Sequence, residues 1–209
     1  MKQQSTSDYI RKYKICVSGA AALDICSPNA KEIAKEVGRQ IVKQGAVLLT
    51  GATTGIPYWA AVGANDAKGI SIGFSPAGTE KEHIKVYRLP VNEFDLIVYT
   101  GAGYAGRNLI LTRSADAVII ICGRMGTLNE FTVAFEDKKP IGVLEGTGGT
   151  ADKIDFLFKD GYRGRKKVIM AADPTVLVQE LINMIKKEKE NNHGKGGYST
   201  VPPKGRKKA

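Results

Sequence analysis

The sequence predicts an α/β domain built on one open, doubly wound, mostly parallel sheet with helices on both faces. Three observations predict it. Short apolar runs rich in Val and Ile alternate with stretches of helical periodicity. One run, Ala117–Cys122 (AVIIIC), is apolar at every position, as a central strand buried on both faces requires. A glycine-bearing turn follows each of the first six runs. No internal repeat and no mid-chain linker breaks this order. A single domain is therefore expected over residues 14–188, between a polar leader (1–13) and a basic tail (189–209).

Lys14–Ser18 (KICVS) is the first strand. Ser27 and Pro28 then read as an N-cap and a first helical residue. Ile33, Val37 and Ile41 form one apolar stripe at i, i+4 and i+8, and Gly45 ends that helix. Ala46–Thr50 is the second strand, followed by a helix over about 57–68 with Gly69 beyond its end. Ile70–Phe74 is the third strand and Asp95–Thr100 the fourth; a short helix holds Leu109–Thr112 before the fifth strand, Ala117–Cys122. Strands Ile141–Leu144 and Lys167–Met170 alternate with further helices, and Asp173-Pro174 caps a last helix running to about Lys187.

At 209 residues, with 43% apolar and 25% charged, the chain is long enough to bury a core without disulfide or metal staples. No apolar stretch approaches the roughly 18 residues of a spanning helix. The first residues contain no apolar secretory segment. A cytoplasmic protein without a membrane partner is expected. Three cysteines (Cys16, Cys26, Cys122) are odd in number and lack CxxC spacing, so they read as reduced thiols. Two histidines, His83 and His193, exclude a three-His metal site and a HExxH protease. His83 lies in a polar stretch and reads as a surface residue. The net charge of +10 is uneven: Lys186–Ala209 hold eight Lys/Arg and two Glu, hence +6 of it. That tail reads as a solvated segment, or as a weak nucleic-acid arm.

The glycine turns carry the functional signal. In a parallel sheet they all lie at the carboxyl edge, where open α/β folds bind ligands. Helix N-termini at that edge offer unpaired N–H groups and partial positive charge to anions. A nucleotide or another phosphate-bearing small molecule is the expected partner, with Gly19, Gly51, Thr53, Thr54, Gly55, Gly123, Met125, Gly126 and Thr127 as candidate binding residues. Gly101–Gly106 matches GxGxxG, but it follows the fourth strand and lacks the acidic residue about 20 positions on that a dinucleotide site needs. No P-loop motif is present.

The stretch Gly106–Glu130 (GRNLILTRSADAVIIICGRMGTLNE) resembles the LOG family of nucleoside 5′-monophosphate phosphoribohydrolases, within the wider group of Rossmann-like nucleotide-binding proteins. That family carries an arginine ahead of a Ser-Asp-Ala strand start and a PGGxGTxxE motif after the strand. Here Arg107 precedes Asp116 by nine residues, and Gly126, Thr127 and Glu130 match the GTxxE half. In the other half Cys122 stands for Pro, Gly123 matches, and Arg124 replaces the second Gly. The loop Thr50–Pro57 resembles the family's second-strand phosphate loop. The resemblance implies a Rossmann-like fold, a homodimer or higher oligomer, no metal or organic cofactor, and Glu130 and Arg107 as catalytic residues.

Each residue also has a plain structural reading. Thr127-x-x-Glu130 fits a helix capping box. Arg107 fits a surface charge, although its place among glycines at the ligand edge favours pairing with phosphate or carboxylate. Arg124 and Arg113 add charge to the same edge or simply solvate it. Tyr58 and Trp59 read as core packing, with stacking on a base as the alternative. Cys122 reads as a small buried apolar residue. Three functions stay open: hydrolysis of the N-glycosidic bond of a nucleoside 5′-monophosphate, non-catalytic nucleotide binding, and single-stranded DNA binding through the basic tail.

Overall fold

The computed structural model describes residues 12–160 and 167–193, so most of the leader and of the tail lie outside the described residues. The strands are β1 (Lys14–Gly19), β2 (Val47–Thr50), β3 (Ser71–Ser75), β4 (Leu96–Tyr99), β5 (Ala117–Ile121), β6 (Ile141–Leu144) and β7 (Val168–Ala171). The helices are α1 (Ala30–Lys43), α2 (Ile56–Asp66), α3 (Glu80–Lys85), α4 (Gly103–Ser114), α5 (Met125–Glu136), α6 (Ile154–Asp160) and α7 (Pro174–His193). All neighbouring strands pair in parallel, in the order β4-β3-β2-β1-β5-β6-β7. The chain thus winds outward from β1 to β4, returns past β1 to β5, and winds outward again. The reversal leaves a crevice at the carboxyl ends of β1 and β5, where Gly19 pairs with Ile121.

Alternation along the strands sends side chains to two cores. Ile15, Val17, Ile119 and Ile121 pack with Val37, Ile41, Ile56 and Leu181 on the face of α1, α2 and α7. Cys16, Val118 and Ile120 pack with Leu111, Phe131 and Ile154 on the face of α4, α5 and α6. β5 is buried at every position, as its continuous apolar run requires. The stripe on α1 holds too: Val37 and Ile41 are buried and Ile33 packs partly against the same core. At α7, Asp173 Oδ1 accepts from the N–H of Val176 at 2.8 Å, the expected cap.

Several expectations are corrected. α1 begins at Ala30, with Asn29 rather than Ser27 at its N-cap, because the N–H of Ser27 donates to the Thr147 carbonyl at 3.0 Å and holds that segment in a loop. α4 starts at Gly103, so the last residues of the GxGxxG stretch are its first turn. α3 lies in the polar stretch left without an element, capped by the Thr79 hydroxyl, which accepts from the N–H of Glu82. α7 runs to His193, past the expected end at Lys187. His83 is fully buried, not on the surface: Nε2 donates to the Pro90 carbonyl at 2.9 Å, so Nδ1 accepts from the Ser75 hydroxyl at 2.8 Å. Two satisfied ring nitrogens let an imidazole sit in a core.

The cysteines depart furthest from expectation. Cys26 and Cys122, 96 residues apart, form a disulfide, and only Cys16 is a free, buried thiol. The β1–α1 loop folds over the end of β5, bringing their Cα atoms to 5.5 Å. The β6–α6 loop closes beneath them: Gly148 bridges to Cys26, the Thr147 hydroxyl accepts from the N–H of Cys122, and the N–H of Ala151 donates to the Cys122 carbonyl.

Candidate functional site

A pocket of about 340 Å³ occupies the crevice, lined by Gly19 at the end of β1, Ala20 and Ala21 after it, Thr53 after β2, Tyr104, Arg107 and Asn108 on α4, Arg124 at the N-cap of α5, and Gly126, Thr127 and Glu130 in its first half. Its volume falls at the small end of ordinary ligand sites.

The floor is built from both halves of the chain. Ser18 follows Cys16 onto the α4/α5 side of the sheet, since alternate residues of a strand share a face. There its hydroxyl donates to Oε2 of Glu130, and both residues are buried, at 2% and 6% exposure. Thr127 is the third residue of α5, whose N-cap is Arg124. Glu130 is therefore turned onto the sheet to Ser18 rather than back to its own helix start, and the capping-box reading is set aside. Burial raises the Glu130 carboxyl above its ordinary carboxylate value, while the charge of Arg107 and the bond from Ser18 pull it down. Burial likewise pushes the Cys16 thiol, beneath Glu130, upward.

Arg107 is buried on the second turn of α4. Its Nη1 donates to the Phe74 carbonyl at 3.4 Å, its Nε has no partner, and its Cζ lies 5.8 Å from the centre of the Tyr104 ring. The guanidinium rests on Gly51: a Cβ there would stand 1.7 Å from Nη1. Gly51 thus gives up its side-chain space to Arg107. Gly123, at φ +105°, is a second obligatory glycine, because a Cβ would come 2.5 Å from the Thr127 side chain. It turns the chain from β5 into α5 and aims that helix's N-terminus at the pocket.

The remaining expected binding residues divide. Gly19, Thr53, Gly126 and Thr127 line the pocket. Thr54 and Gly55 instead buttress it: the Thr54 hydroxyl donates to the Ala21 carbonyl at 2.9 Å, and the N–H of Ile56 donates to the Ala20 carbonyl at 2.9 Å beside Gly55. Met125 is 77% exposed and does not line the pocket. Arg124 lines the pocket, held by Asp24, whose Oδ2 accepts from Nη2 at 2.6 Å. Arg113 does not join it: α4 carries Arg113 to the opposite edge of the sheet, where it pairs with Asp137 at 3.1 Å. Trp59 packs partly against the core and the Tyr58 hydroxyl accepts from Asn92, so neither stacks in the pocket.

Sequence reasoning missed Ser18, Asp24, Tyr104 and Asn108. Ser18 stood next to a chosen glycine, but the face it occupies follows only from the register of β1. Among the described residues, no cluster of three or more His, Cys, Asp or Glu side chains is placed to hold a metal ion. No described helix is long and apolar enough to cross a membrane.

Comparison with known proteins adds to this geometry. The model of the SLOG cluster4 family matches residues 12–178. A molybdenum cofactor binding protein from Rippkaea orientalis is similar in structure, with a TM-score of 0.67 and 30% identity, over 87% of this chain and 99% of that one. The molybdenum cofactor carrier protein from Chlamydomonas reinhardtii has a TM-score of 0.67 and 28% identity, over 84% of this chain and 99% of its own. An uncharacterized protein of Archaeoglobus fulgidus is 29% identical over 133 residues, which are 63% of this chain and 82% of that protein.

Proposed function

We propose that this chain, which belongs to the SLOG cluster4 family of the LOG/SLOG Rossmann-like superfamily, binds a nucleotide or a phosphate-bearing ligand of the same build in the crevice between β1 and β5. The pocket carries this reading. It joins two guanidinium groups, Arg107 and Arg124, and the N-terminus of α5 in one small cavity. That is the recognition chemistry of a phosphate: oriented N–H groups and charge-assisted hydrogen bonds. The wall at Gly126 is open, with the Asn108 side-chain nitrogen 4.0 Å from where a Cβ would stand, which leaves room for a ligand group.

On this reading Glu130 is the group that acts on the ligand. In hydrolysis of a nucleoside 5′-monophosphate, the bond between ribose C1′ and the base nitrogen breaks, water adds at C1′, and its proton leaves with the base. The sugar passes through a cationic state. A carboxylate in the pocket floor would stabilise that charge or accept the proton of the attacking water, and Arg107 would orient the substrate. No metal or organic cofactor enters this scheme.

The second reading, binding without turnover, is favoured by the cofactor binding and carrier proteins among the structural relatives and by the altered turn Cys122-Gly123-Arg124. One experiment separates the two. Incubation with AMP, GMP, CMP and UMP that releases free base in the wild type but not in Glu130→Gln supports hydrolysis. Micromolar binding without base release supports a carrier. Neither binding nor release refutes both. The proposal includes a homodimer and a cytoplasmic location. Helix α4 exposes Leu109 and Ile110 near the pocket residue Tyr104, and a monomeric mass in sedimentation would remove the dimer.

A further inference from the structure

We propose that Ser18 is the positioning residue of Glu130, holding its carboxyl at the pocket floor through both protonation states. The inference rests on the reading that Glu130 acts on the ligand. Three observations carry it. First, Ser18 is a hydroxyl placed where β1 otherwise sends core side chains, at 2% exposure, and burying a hydroxyl is costly unless it is bonded. Its bond crosses 112 residues of sequence to Oε2 of Glu130. Second, that bond occupies one carboxyl oxygen and leaves Oε1 for the pocket that Glu130 lines. Third, the guanidinium of Arg107 does not do this work: its Nη1 is committed to the Phe74 carbonyl and to the hollow over Gly51.

The chemistry of the hydroxyl explains the choice. A serine O–H donates to a carboxylate and, when the carboxyl takes up a proton at Oε2, accepts from it. A backbone N–H can only donate, so it could not take up the O–H of a carboxyl protonated at that oxygen. The carboxyl can therefore gain or lose a proton without leaving its place, as a group that holds or moves a proton at a ligand must. The groups that face Glu130 are Arg107 from α4 and Ser18 and Cys16 from β1, with Arg124 at the head of its own helix on the same pocket. Arg107 favours the charged carboxyl through space, while Ser18 fixes where it sits.

The test uses full-length protein labelled with 13C at glutamate side-chain carboxyls, the Glu130 signal being identified by its loss in Glu130→Gln. In Ser18→Ala the titration midpoint of that signal should rise by about one pH unit, because the charge-assisted bond lost by the carboxylate is stronger than the bond lost by the neutral carboxyl. Ser18→Thr, which keeps the hydroxyl, should titrate like the wild type. AMP affinity, measured alongside by calorimetry, should fall about tenfold in Ser18→Ala and recover in Ser18→Thr. Should Ser18→Ala fail to fold, Ser18→Cys, similar in size and a far weaker donor, carries the same expectation. A midpoint that does not move in a folded Ser18→Ala or Ser18→Cys overturns the proposal, whatever happens to the melting temperature. A shifted midpoint in a protein that binds none of AMP, GMP, CMP and UMP leaves Ser18 its role and removes the nucleotide reading instead.

Discussion

The contact between Gly51 and Arg107 offers the sharpest perturbation of the pocket, the substitution Gly51→Ala. An added Cβ would stand 1.7 Å from Nη1, 2.8 Å from Cζ and 3.2 Å from Nη2, whereas real Cβ atoms essentially never approach a heavy atom closer than 3.0 Å. The guanidinium must therefore withdraw by more than 1.3 Å, the difference between those two distances at Nη1. Gly51 has no left-handed backbone angle, so alanine adds no torsional strain there. The clash falls on the far end of a flexible side chain, and the stability cost should stay near 1 kcal/mol, the low end for overpacking. Ligand binding is a different matter. If Arg107 grips the phosphate, a displaced guanidinium loses a charge-assisted hydrogen bond of about 1.5–3 kcal/mol, or roughly 10- to 150-fold in affinity. Calorimetric titration with AMP measures the second quantity and thermal melting the first. Arg107→Lys supplies the control, because the lysine has no planar fork to press on Gly51. In that background Gly51→Ala should cost little more, so the two losses should be far from additive. Wild-type affinity in Gly51→Ala, or additive losses in the pair, would refute the claim that this glycine works through Arg107.

Other outcomes follow from the same structure. The Glu130 carboxyl is raised in the folded state, so the fold binds its proton more tightly than the unfolded chain does. That contribution to stability is fully present below the unfolded carboxyl value and is lost as pH rises through the folded one. The stability of wild type relative to Glu130→Gln should therefore fall with rising pH, as denaturant melts from pH 4 to 8 would show; a rising difference would mean Glu130 is held as a favourably charged group. Cys26→Ser should cost about 4–5 kcal/mol, as expected for closing a loop between residues 96 apart, and should abolish any effect of reductant on the melting curve. His83→Ala should destabilise by about 2–4 kcal/mol, through a buried cavity and a Ser75 hydroxyl that still accepts from the N–H of Ala77 but has no acceptor for its own proton, and leave AMP affinity unchanged.

The strands were legible because their signals are local. β6 falls where its apolar run predicts, Ile141–Leu144, and the starts and ends of the other six lie within a residue of expectation. The carboxyl-edge position of the glycine turns followed from parallel order alone. Which turns meet did not. The loops after β1, β2 and β5 reach one pocket, whereas the loop after β6 packs beneath the β5 turn. α3 went unseen because its six residues, Glu80–Lys85, bury only His83 and show no apolar stripe.

By itself, then, the sequence determined the class of fold, the parallel sheet, the covered central strand β5 and the edge at which the glycine turns gather. Periodicity, turn chemistry and helix caps are properties of a few neighbouring residues, and they act wherever those residues lie. Only the tertiary structure decided what joins across that edge. Ser18 meets Glu130 across 112 residues, Cys26 meets Cys122 across 96, and Arg107 takes the space above Gly51. Each pairing depends on the return of the chain from β4 past β1 to β5, which sets distant segments side by side at hydrogen-bonding distance. No local pattern encodes that proximity. The same logic placed His83 inside and Arg113 at the far edge, since a side chain's surroundings are set by the elements packed on it and not by the polarity of its neighbours in sequence.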